Sequence, residues 1–197
     1  MNKIFKIVLC LILTSSITNC KSTTPTITIN QTHTDYDIII KSAKDNKNDI
    51  INIRFPRNIT IFNNFHFNKS FIKIDYYYKD SLSDWANRNI ELYKIYGGRL
   101  ERISNNKKKT ISSKDSLSFV FYTRHFLDST KATQQQFKPY IEKMLEENSD
   151  TLHIGSVSEF KTKHAALFEK LTKNDSISIQ FLDGRELGER ITVPVEW

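Results

Sequence analysis

Apolar and polar residues alternate along most of the chain between Asp35 and about Thr110, and this restricts the fold more than any other sequence feature. Successive side chains of a β-strand point to opposite faces, so a period of two residues predicts strands with one buried face. Four segments alternate in this way or form short apolar runs: residues 38–40, 50–55, 59–61 and 72–78. Pro56 stops the second segment, because proline lacks the amide hydrogen that a strand ladder uses. This part of the chain is predicted to be β-sheet.

The clearest local feature is the pair Gly97-Gly98, between residues 90–96 and residues 99–103. Glycine readily adopts the positive φ angles that a two-residue hairpin turn requires. Closure at this turn predicts three cross-strand pairs: Tyr96 with Arg99, Lys94 with Glu101, and Leu92 with Ile103. Each pair joins chemically compatible side chains, which favours an antiparallel hairpin in this register.

The last third of the chain mixes strands with helices. Alternating apolar residues predict a strand over residues 117–124. A helix is predicted next from apolar residues at helical spacing: Phe137, Tyr140, Ile141, Met144 and Leu145. Because Pro139 is tolerated only in the first turn of a helix, this helix is expected to begin near Phe137 rather than at Lys131.

The stretch Ser156-Val157-Ser158-Glu159 has the spacing of a capping box, which predicts the start of a second helix. The apolar face of that helix is expected to contain Phe160, Leu167, Phe168 and Leu171. His164 lies on the same face, where we expect a half-buried histidine with its polar atoms satisfied. Residues 177–195 then form a predicted terminal hairpin around Asp183-Gly184. The fold class is therefore α+β: a β-rich antiparallel sheet or sandwich with two helices in the C-terminal third.

The N-terminal residues have a different pattern. Residues 1–6 carry two positive charges and no acidic residue, an apolar run occupies residues 7–13, and small polar residues occupy positions 14–16. This order is typical of a secretory signal peptide. A stable membrane-spanning helix needs about 20 apolar residues, and this run is too short. Residues 1–19 are therefore predicted to be a signal peptide that is removed.

The end of this segment, Ile17-Thr18-Asn19-Cys20, resembles the lipobox of bacterial lipoproteins. Ile17, Thr18 and Cys20 match the family pattern, and Asn19 stands where Gly, Ala or Ser is usual. The resemblance covers residues 1–20 only. It implies a diacylglycerol on the Cys20 thiol, followed by cleavage and by acylation of the new amine, for example with palmitate. Each buried methylene adds about 0.8 kcal/mol of membrane affinity, so two or more chains anchor stably. An ordinary secretory signal with a coincidental cysteine is the alternative.

Cys10 and Cys20 are the two cysteines of the 197-residue chain. Removal of the signal peptide takes Cys10 away and leaves Cys20 as the first residue of a 178-residue mature chain. No internal disulfide, cysteine zinc site or cysteine nucleophile is then expected. Such a fold depends on its hydrophobic core, and 178 residues are enough to build one.

The mature chain is expected to begin with a tether. Residues 20–34 are rich in threonine, serine and asparagine, which is typical of a polar linker, although Ile27 and Ile29 could begin a strand. Residues 35–197 are expected to form the α+β domain. One domain is the simplest prediction, and two lobes that meet near residues 107–113 are the alternative.

Location and charge restrict the class of partner. Lys21 follows the anchor, whereas an aspartate there favours inner-membrane retention in well-studied lipoproteins, so the resemblance implies the outer membrane facing the periplasm. The net charge of +7 falls to +5 without the signal peptide. Positive charge often indicates a nucleic-acid or anionic partner, but export argues against nucleic acid. Residues 107–109, all lysine, are interpreted as a solvated turn, with contact to lipid headgroups or an acidic partner as the alternative.

The sequence contains no H-E-x-x-H, G-x-S-x-G, G-x-G-x-x-G or Walker A motif, and we expect no catalytic residue, cofactor or metal. His33, Asp35 and Asp37 alternate in the manner of metal ligands on one strand face. A solvated strand edge is the favoured interpretation of that row. His125 lies near Asp128 in sequence, which could suggest acid–base chemistry, but no nucleophile is visible beside it.

Aromatic residues supply the candidate binding surface. Tyr76, Tyr77 and Tyr78 follow one another on a predicted strand, and Trp85 comes shortly after. Tyr76 and Tyr78 share one strand face and Tyr77 takes the other, so at least one ring is expected to point outward. Exposed rings could stack on a sugar or dock a protein. Burial of these rings between a sheet and its cover is the favoured interpretation, and the exposed binding surface is the alternative.

Asp-Ser or Asp-Thr followed by an aliphatic residue recurs along the chain. The residues concerned are Ser81, Ser116, Thr151 and Ser176. Entry into a strand from a turn explains the repeat, since aspartate and serine both favour turns. The motif also resembles the acceptor site of some bacterial periplasmic O-glycosylation systems, which implies modification of one or more of these hydroxyls as an alternative.

Three functions follow as hypotheses. The first is an anchored, non-enzymatic module that binds an envelope protein, a glycan or an incoming toxin, the last as an immunity protein. The second is a cell-envelope enzyme that uses a histidine with carboxylates. The third is a structural component of a larger envelope assembly. The anchor and the absent motifs favour the first hypothesis.

Overall fold

The computed structural model describes residues 26–43, 49–78 and 90–197. The predictions for the signal peptide, for Cys20, for Ser81 and for Trp85 lie outside these residues. Among the helices in the described ranges, none has the length and apolar character needed to cross a membrane.

The described residues form thirteen strands and four helices. The strands are β1 (Ile27–Thr32), β2 (Ile39–Ser42), β3 (Ile50–Arg54), β4 (Pro56–Asn63), β5 (Lys69–Tyr77), β6 (Ile90–Tyr96), β7 (Arg99–Ile103), β8 (Lys109–Ile111), β9 (Ser116–Thr123), β10 (His125–Phe126), β11 (Thr151–His153), β12 (Ser176–Asp183) and β13 (Glu186–Pro194). The helices are α1 (Lys131–Gln136), α2 (Lys138–Glu146), α3 (Val157–Lys163) and α4 (Ala165–Thr172). All strand pairs are antiparallel, and the α+β prediction is confirmed.

Two sheets pack face to face as a β-sandwich. The first has five strands in the order β1-β4-β9-β6-β7, and the second has four in the order β13-β12-β5-β8. Their inward residues share one hydrophobic core, which includes Ile59, Ile61, Phe71, Phe121 and Ile179. The alternation seen in the sequence therefore separates this core from the two outer faces of the sandwich.

A third sheet and the four helices form a second layered unit. Its strand order is β10-β3-β2-β11, and its apolar side packs against residues of all the helices except α1. Trp197 packs against both hydrophobic cores and so joins this unit, called here the helical lobe, to the sandwich. Ile111 lies in the sandwich core, and the choice between one domain and two lobes meeting near residues 107–113 stays a prediction.

Local predictions with a strong chemical basis are confirmed. The Gly97-Gly98 turn has φ angles of 53° and 79°, and the hairpin pairs Tyr96 with Arg99 in the expected register. The terminal strands β12 and β13 form the expected hairpin. The capping box is complete, because Ser156 accepts from the Glu159 amide and the Glu159 carboxylate accepts from the Ser156 amide.

The helix that contains Pro139 begins where it was predicted, because α2 starts at Lys138 with Phe137 as its N-cap and the proline in its first turn. Three other features differ from the sequence predictions. A separate short helix, α1, begins at Lys131, where Thr130 caps it through the Thr133 amide. The helix after the capping box is broken at His164, whose φ of −128° and ψ of 44° end α3 and precede α4. Residues 27–32, assigned to the tether, form β1, since their alternate apolar residues pack into the sandwich.

Candidate functional site

The outer face of the five-stranded sheet carries a groove of about 510 Å³. Ile59 and Ile61 of β4 face the core, so Asn58 and Thr60 of the same strand face outward. The residues that line the groove include Thr32, Asn58, Thr60, Ile95, Ser118 and Val120, from β1, β4, β9 and β6. The groove therefore crosses four neighbouring strands of a rigid sheet.

The lining of this groove is mostly uncharged, hydrogen-bonding and partly apolar, and Lys94 is the one cationic residue among its described lining residues. The Thr60 and Ser118 hydroxyls lie 2.9 Å apart across the strand pair, at an exposed position. Ile95 is 56% exposed, which is unusual for an isoleucine on a sheet face. Hydroxyl and amide groups beside an exposed aliphatic side chain can hydrogen-bond a neutral ligand and remove apolar surface from water.

An ion-pair network lies on the same face, beyond the groove. Glu91 of β6 accepts from Arg54 at 2.9 Å and from Arg124 at 2.7 Å, and Arg102 of β7 is 3.4 Å away. Burial disfavours ionisation of Glu91, but attraction by Arg54 and Arg102 outweighs it and lowers the pKa. Because Arg54 lies in β3, this network connects the sandwich to the helical lobe.

A buried polar cluster lies at the junction between the two hydrophobic cores. The Tyr76 hydroxyl donates to Asp175 and lies 3.1 Å from Nε2 of His125, and Nε1 of Trp197 donates to the same Asp175 oxygen at 3.1 Å. Thr123 Oγ1 is 3.0 Å from Nε2 of His125. Burial raises the pKa of Asp175 to about 7, although the hydrogen bonds from Tyr76 and Trp197 oppose the shift. These groups stabilise one another in the interior.

The predicted aromatic surface is divided between interior and exterior. Tyr76 is fully buried and takes no part in any surface, since its hydroxyl belongs to the junction cluster. Tyr77 is half-buried and its hydroxyl accepts from Arg190 at 3.1 Å. Tyr78 is half-buried, and its ring centroid lies 5.9 Å from that of His125. A partner surface that includes Tyr77, Tyr78 and Trp85 stays a prediction.

The histidines are not arranged as the sequence hypotheses required. His33, Asp35 and Asp37 are exposed, and the described residues contain no group of three possible metal ligands. His125 is 1% exposed and contacts the Tyr76 and Thr123 hydroxyls, whereas Asp128 lies at the surface and pairs with other groups. A substrate therefore has no access to the His125 ring.

His164 is half-buried, and its ring centroid lies 4.7 Å from that of Phe160. Within the described part of the chain, its Nε2 atom is buried without a hydrogen-bond partner, contrary to the expectation of a satisfied ring. Burial and, after it, the charge of Lys163 lower the pKa of His164, and both favour the neutral ring.

The Asp-Ser repeats begin strands in both sheets of the sandwich. Lys114 and Asn174, which precede Asp115 and Asp175, have φ angles of 60° and 61°. The two strand entries thus share one backbone turn, which supports the interpretation as turn chemistry. Ser116, Thr151 and Ser176 are the half-buried first residues of β9, β11 and β12, and their glycosylation stays a prediction.

No family model matches the sequence, and no curated protein was found to match it. Function is therefore inferred from the site itself. Sequence reasoning missed the groove, although the sequence does show part of its lining. Small polar residues occupy alternate positions of β4 and β9, namely Asn58, Thr60, Ser116 and Ser118. Such a row marks an outward strand face, but the same pattern is expected of any solvated sheet.

Proposed function

We propose that this protein is an exported bacterial lipoprotein that binds a protein or glycan of the cell envelope. In this proposal, lipid on Cys20 holds the chain on the outer membrane, facing the periplasm. The groove on the outer face of the five-stranded sheet receives the partner. The observation that carries the proposal is this groove, in which hydroxyl and amide groups and Lys94 surround an exposed isoleucine.

The two outer faces of the sandwich support the choice of surface. On the four-stranded sheet, the Thr192–Ser178 hydroxyl pair at 2.9 Å lies beside Arg190, which also binds Asp75 at 2.8 Å. The polar groups of that face are occupied by one another. On the five-stranded sheet, the Thr60–Ser118 pair lines an open groove instead. A partner therefore binds more favourably to the outer face of the five-stranded sheet, where fewer existing contacts must be broken.

The size and chemistry of the groove suit a small polar ligand or the tip of a larger partner. Ligand sites commonly have volumes of roughly 300–1,000 Å³. Hydroxyl and amide groups such as those of Thr60 and Asn58 match the hydroxyls of a sugar or the backbone of a peptide. An immunity protein that holds an incoming toxin is one version of this function.

The test is recovery of a partner from the envelope of the native host. The full lipidated chain is crosslinked in cells and purified, in parallel with Ser118→Lys and Thr192→Lys. Both changes place a lysine at an exposed member of a Thr–Ser pair, one in the groove and one on the opposite sheet. We expect wild type and Thr192→Lys to recover a stoichiometric protein or glycan, and Ser118→Lys to recover at least about tenfold less.

Two outcomes would contradict the groove as the binding site. One is recovery of no stoichiometric partner by the wild-type chain. The other is equal recovery by Ser118→Lys and wild type. The anchor has a separate test: Cys20→Ser is expected to move the protein from the membrane fraction to the soluble fraction, and persistent membrane association would refute lipidation of Cys20.

A further inference from the structure

The N-terminal segment joins the folded body at one defined end of the sandwich. The Asn64 amide donates to the Thr26 carbonyl at 2.9 Å, and Ile27 pairs with Asn63. The chain therefore enters the sandwich directly beside the loop between β4 and β5, residues 64–68. This end of the sandwich is called here the entry end.

Only a short stretch of sequence separates the entry end from the proposed anchor. Cys20 and Thr26 are six residues apart. A fully extended chain spans at most about 3.5 Å per residue, so six residues reach about 20 Å. A lipid on Cys20 therefore keeps the entry end within that distance of the bilayer, whatever path the intervening residues take.

Exposed apolar side chains collect at this same end. Phe67, in the loop beside Thr26, is 56% exposed, and Phe62, near the end of β4, is 38% exposed. Leu187 is 71% exposed and pairs with Leu182, which in turn pairs with Ser70 at the beginning of β5. Strand register thus places all three side chains at the entry end, called here the apolar tip.

The loop that carries Phe67 is held firmly. The buried Asn63 side chain donates to the carbonyls of Phe67 and Ser112 at 2.8 and 2.9 Å. The Lys114 amide and the Ser113 hydroxyl both donate to the Phe65 carbonyl, at 3.2 Å each. The exposure of Phe67 is therefore built into the fold and does not depend on a loosely packed loop.

Charges at the entry end are nearly balanced, and this balance indicates which interaction would bring the apolar tip to a membrane. Lys69 lies over the rings of Phe65 and Phe67, 4.5 and 5.1 Å from their centroids. Other basic residues at this end include Lys114, Arg185 and Arg99, which follows the turn between β6 and β7, and the acidic residues include Asp115, Asp183 and Glu186. Because neither sign dominates, burial of apolar rings rather than attraction to anionic lipid drives contact with a membrane.

We propose that the apolar tip lies in the headgroup region of the bilayer, so that the entry end faces the membrane and the helical lobe points away from it. This inference rests on the proposed lipid anchor at Cys20. Aromatic rings on a rigid support, with lysine beside them, suit the interface between water and lipid. Anchoring at Cys20 removes most of the entropic cost of bringing the tip to the surface, so a small apolar contact is sufficient.

Site-specific fluorescence on the full lipidated chain tests this orientation. Phe67→Cys and Leu187→Cys introduce a thiol at the apolar tip, and Leu145→Cys introduces one in α2 of the helical lobe, where the leucine is 46% exposed. With Cys20 acylated and Cys10 removed, the new thiol is the only labelling site. Each labelled chain is reconstituted in vesicles of phosphatidylethanolamine and phosphatidylglycerol, with and without lipids brominated near the headgroup.

We expect a blue-shifted emission and at least about twofold quenching by brominated lipid at positions 67 and 187, with no quenching at 145. Quenching at the tip is expected to persist in 0.5 M salt, because apolar contact is not screened. Equal, unquenched emission at all three positions, in a chain whose mass shows acylation of Cys20, would overturn the tip proposal and leave the anchor intact. A chain whose mass shows no acyl group would overturn the anchor and the tip proposal together.

Discussion

The two ends of the sandwich depart in opposite ways from the usual separation of apolar interior and polar surface. At the entry end, Phe67 is exposed on a firmly held loop and Leu187 is exposed near the beginning of β13. At the other end, Tyr76, His125 and Asp175 are buried between two hydrophobic cores. Exposed apolar side chains need an external partner to be removed from water, whereas these buried polar groups hydrogen-bond one another. The first end is therefore suited to contact, and the second to holding the fold together.

The largest expected effect is on the pH dependence of stability, and it comes from Asp175 at the buried end. Its pKa is raised to about 7 in the folded protein, so the folded state binds a proton more tightly than the unfolded state. Its contribution to stability is therefore fully present below the unfolded pKa and is lost as pH rises through the folded one. Three pKa units correspond to on the order of 4 kcal/mol between pH 4 and pH 7.

The measurement is urea unfolding of wild type and Asp175→Asn at several pH values from 4 to 8. The stability of wild type minus that of Asp175→Asn should fall with increasing pH. Glu91, whose lowered pKa gives the opposite slope, is present in both proteins and cancels in this difference. A difference that is flat with pH would contradict a raised pKa at Asp175.

Trp197 is expected to give the next largest effect. Its ring centroid lies 5.6 Å from that of Phe55 and 5.9 Å from that of Phe168, and its indole donates to Asp175. Trp197→Ala removes these contacts at the junction and should cost about 3 kcal/mol in the free energy of unfolding. Denaturant unfolding provides the check. A loss below about 1 kcal/mol would show that the helical lobe is held to the sandwich by other contacts.

The capping box in the helical lobe should contribute less. Ser156→Ala removes the hydroxyl that accepts from the Glu159 amide at 3.2 Å. The expected loss is about 1 kcal/mol, because one amide at the start of α3 loses its partner. Ser158→Ala, at an exposed position of the same helix that is not the cap, is the matched control and should be nearly neutral. Equal losses in the two variants would contradict a specific capping contribution.

The entry end should give the smallest effect on stability. Phe67→Ala is expected to change the free energy of unfolding by less than about 0.5 kcal/mol, because the exposed ring contributes little to the core. The same change should reduce contact between the apolar tip and vesicles of the full lipidated chain. A stability loss comparable to that of Trp197→Ala would show that the ring supports the fold rather than a contact.

The elements that sequence reasoning predicted are those fixed by local chemistry. Glycines at positions 97 and 98 specify a turn, Ser156 and Glu159 specify a helix start, and alternation specifies the strands. The division of the strands into three sheets was not readable, because it depends on pairs distant in sequence, such as Ile27 with Asn63. The short helix α1, which was not predicted, also makes such a contact: the Gln134 side chain binds both backbone groups of Ile50.

The candidate site was less accessible to sequence reasoning than the fold. Tyr76 resembled a surface aromatic residue because its partner, Asp175, is 99 residues away. The open groove beside Ile95 depends on which outer sheet face keeps its polar groups free of strong mutual contacts, and a period of two residues does not distinguish the two outer faces. Tertiary packing therefore decides the function of these side chains.

Both the proposed function and the proposed orientation require a lipid on Cys20, which we propose as the anchor of this protein. The most direct test is the intact mass and N-terminal sequence of the mature protein purified from the envelope of its native host. We predict a chain that begins at Cys20 and carries the added mass of a diacylglycerol and a further acyl group. A mature chain that begins elsewhere, or that has an unmodified Cys20 thiol, would contradict the claim.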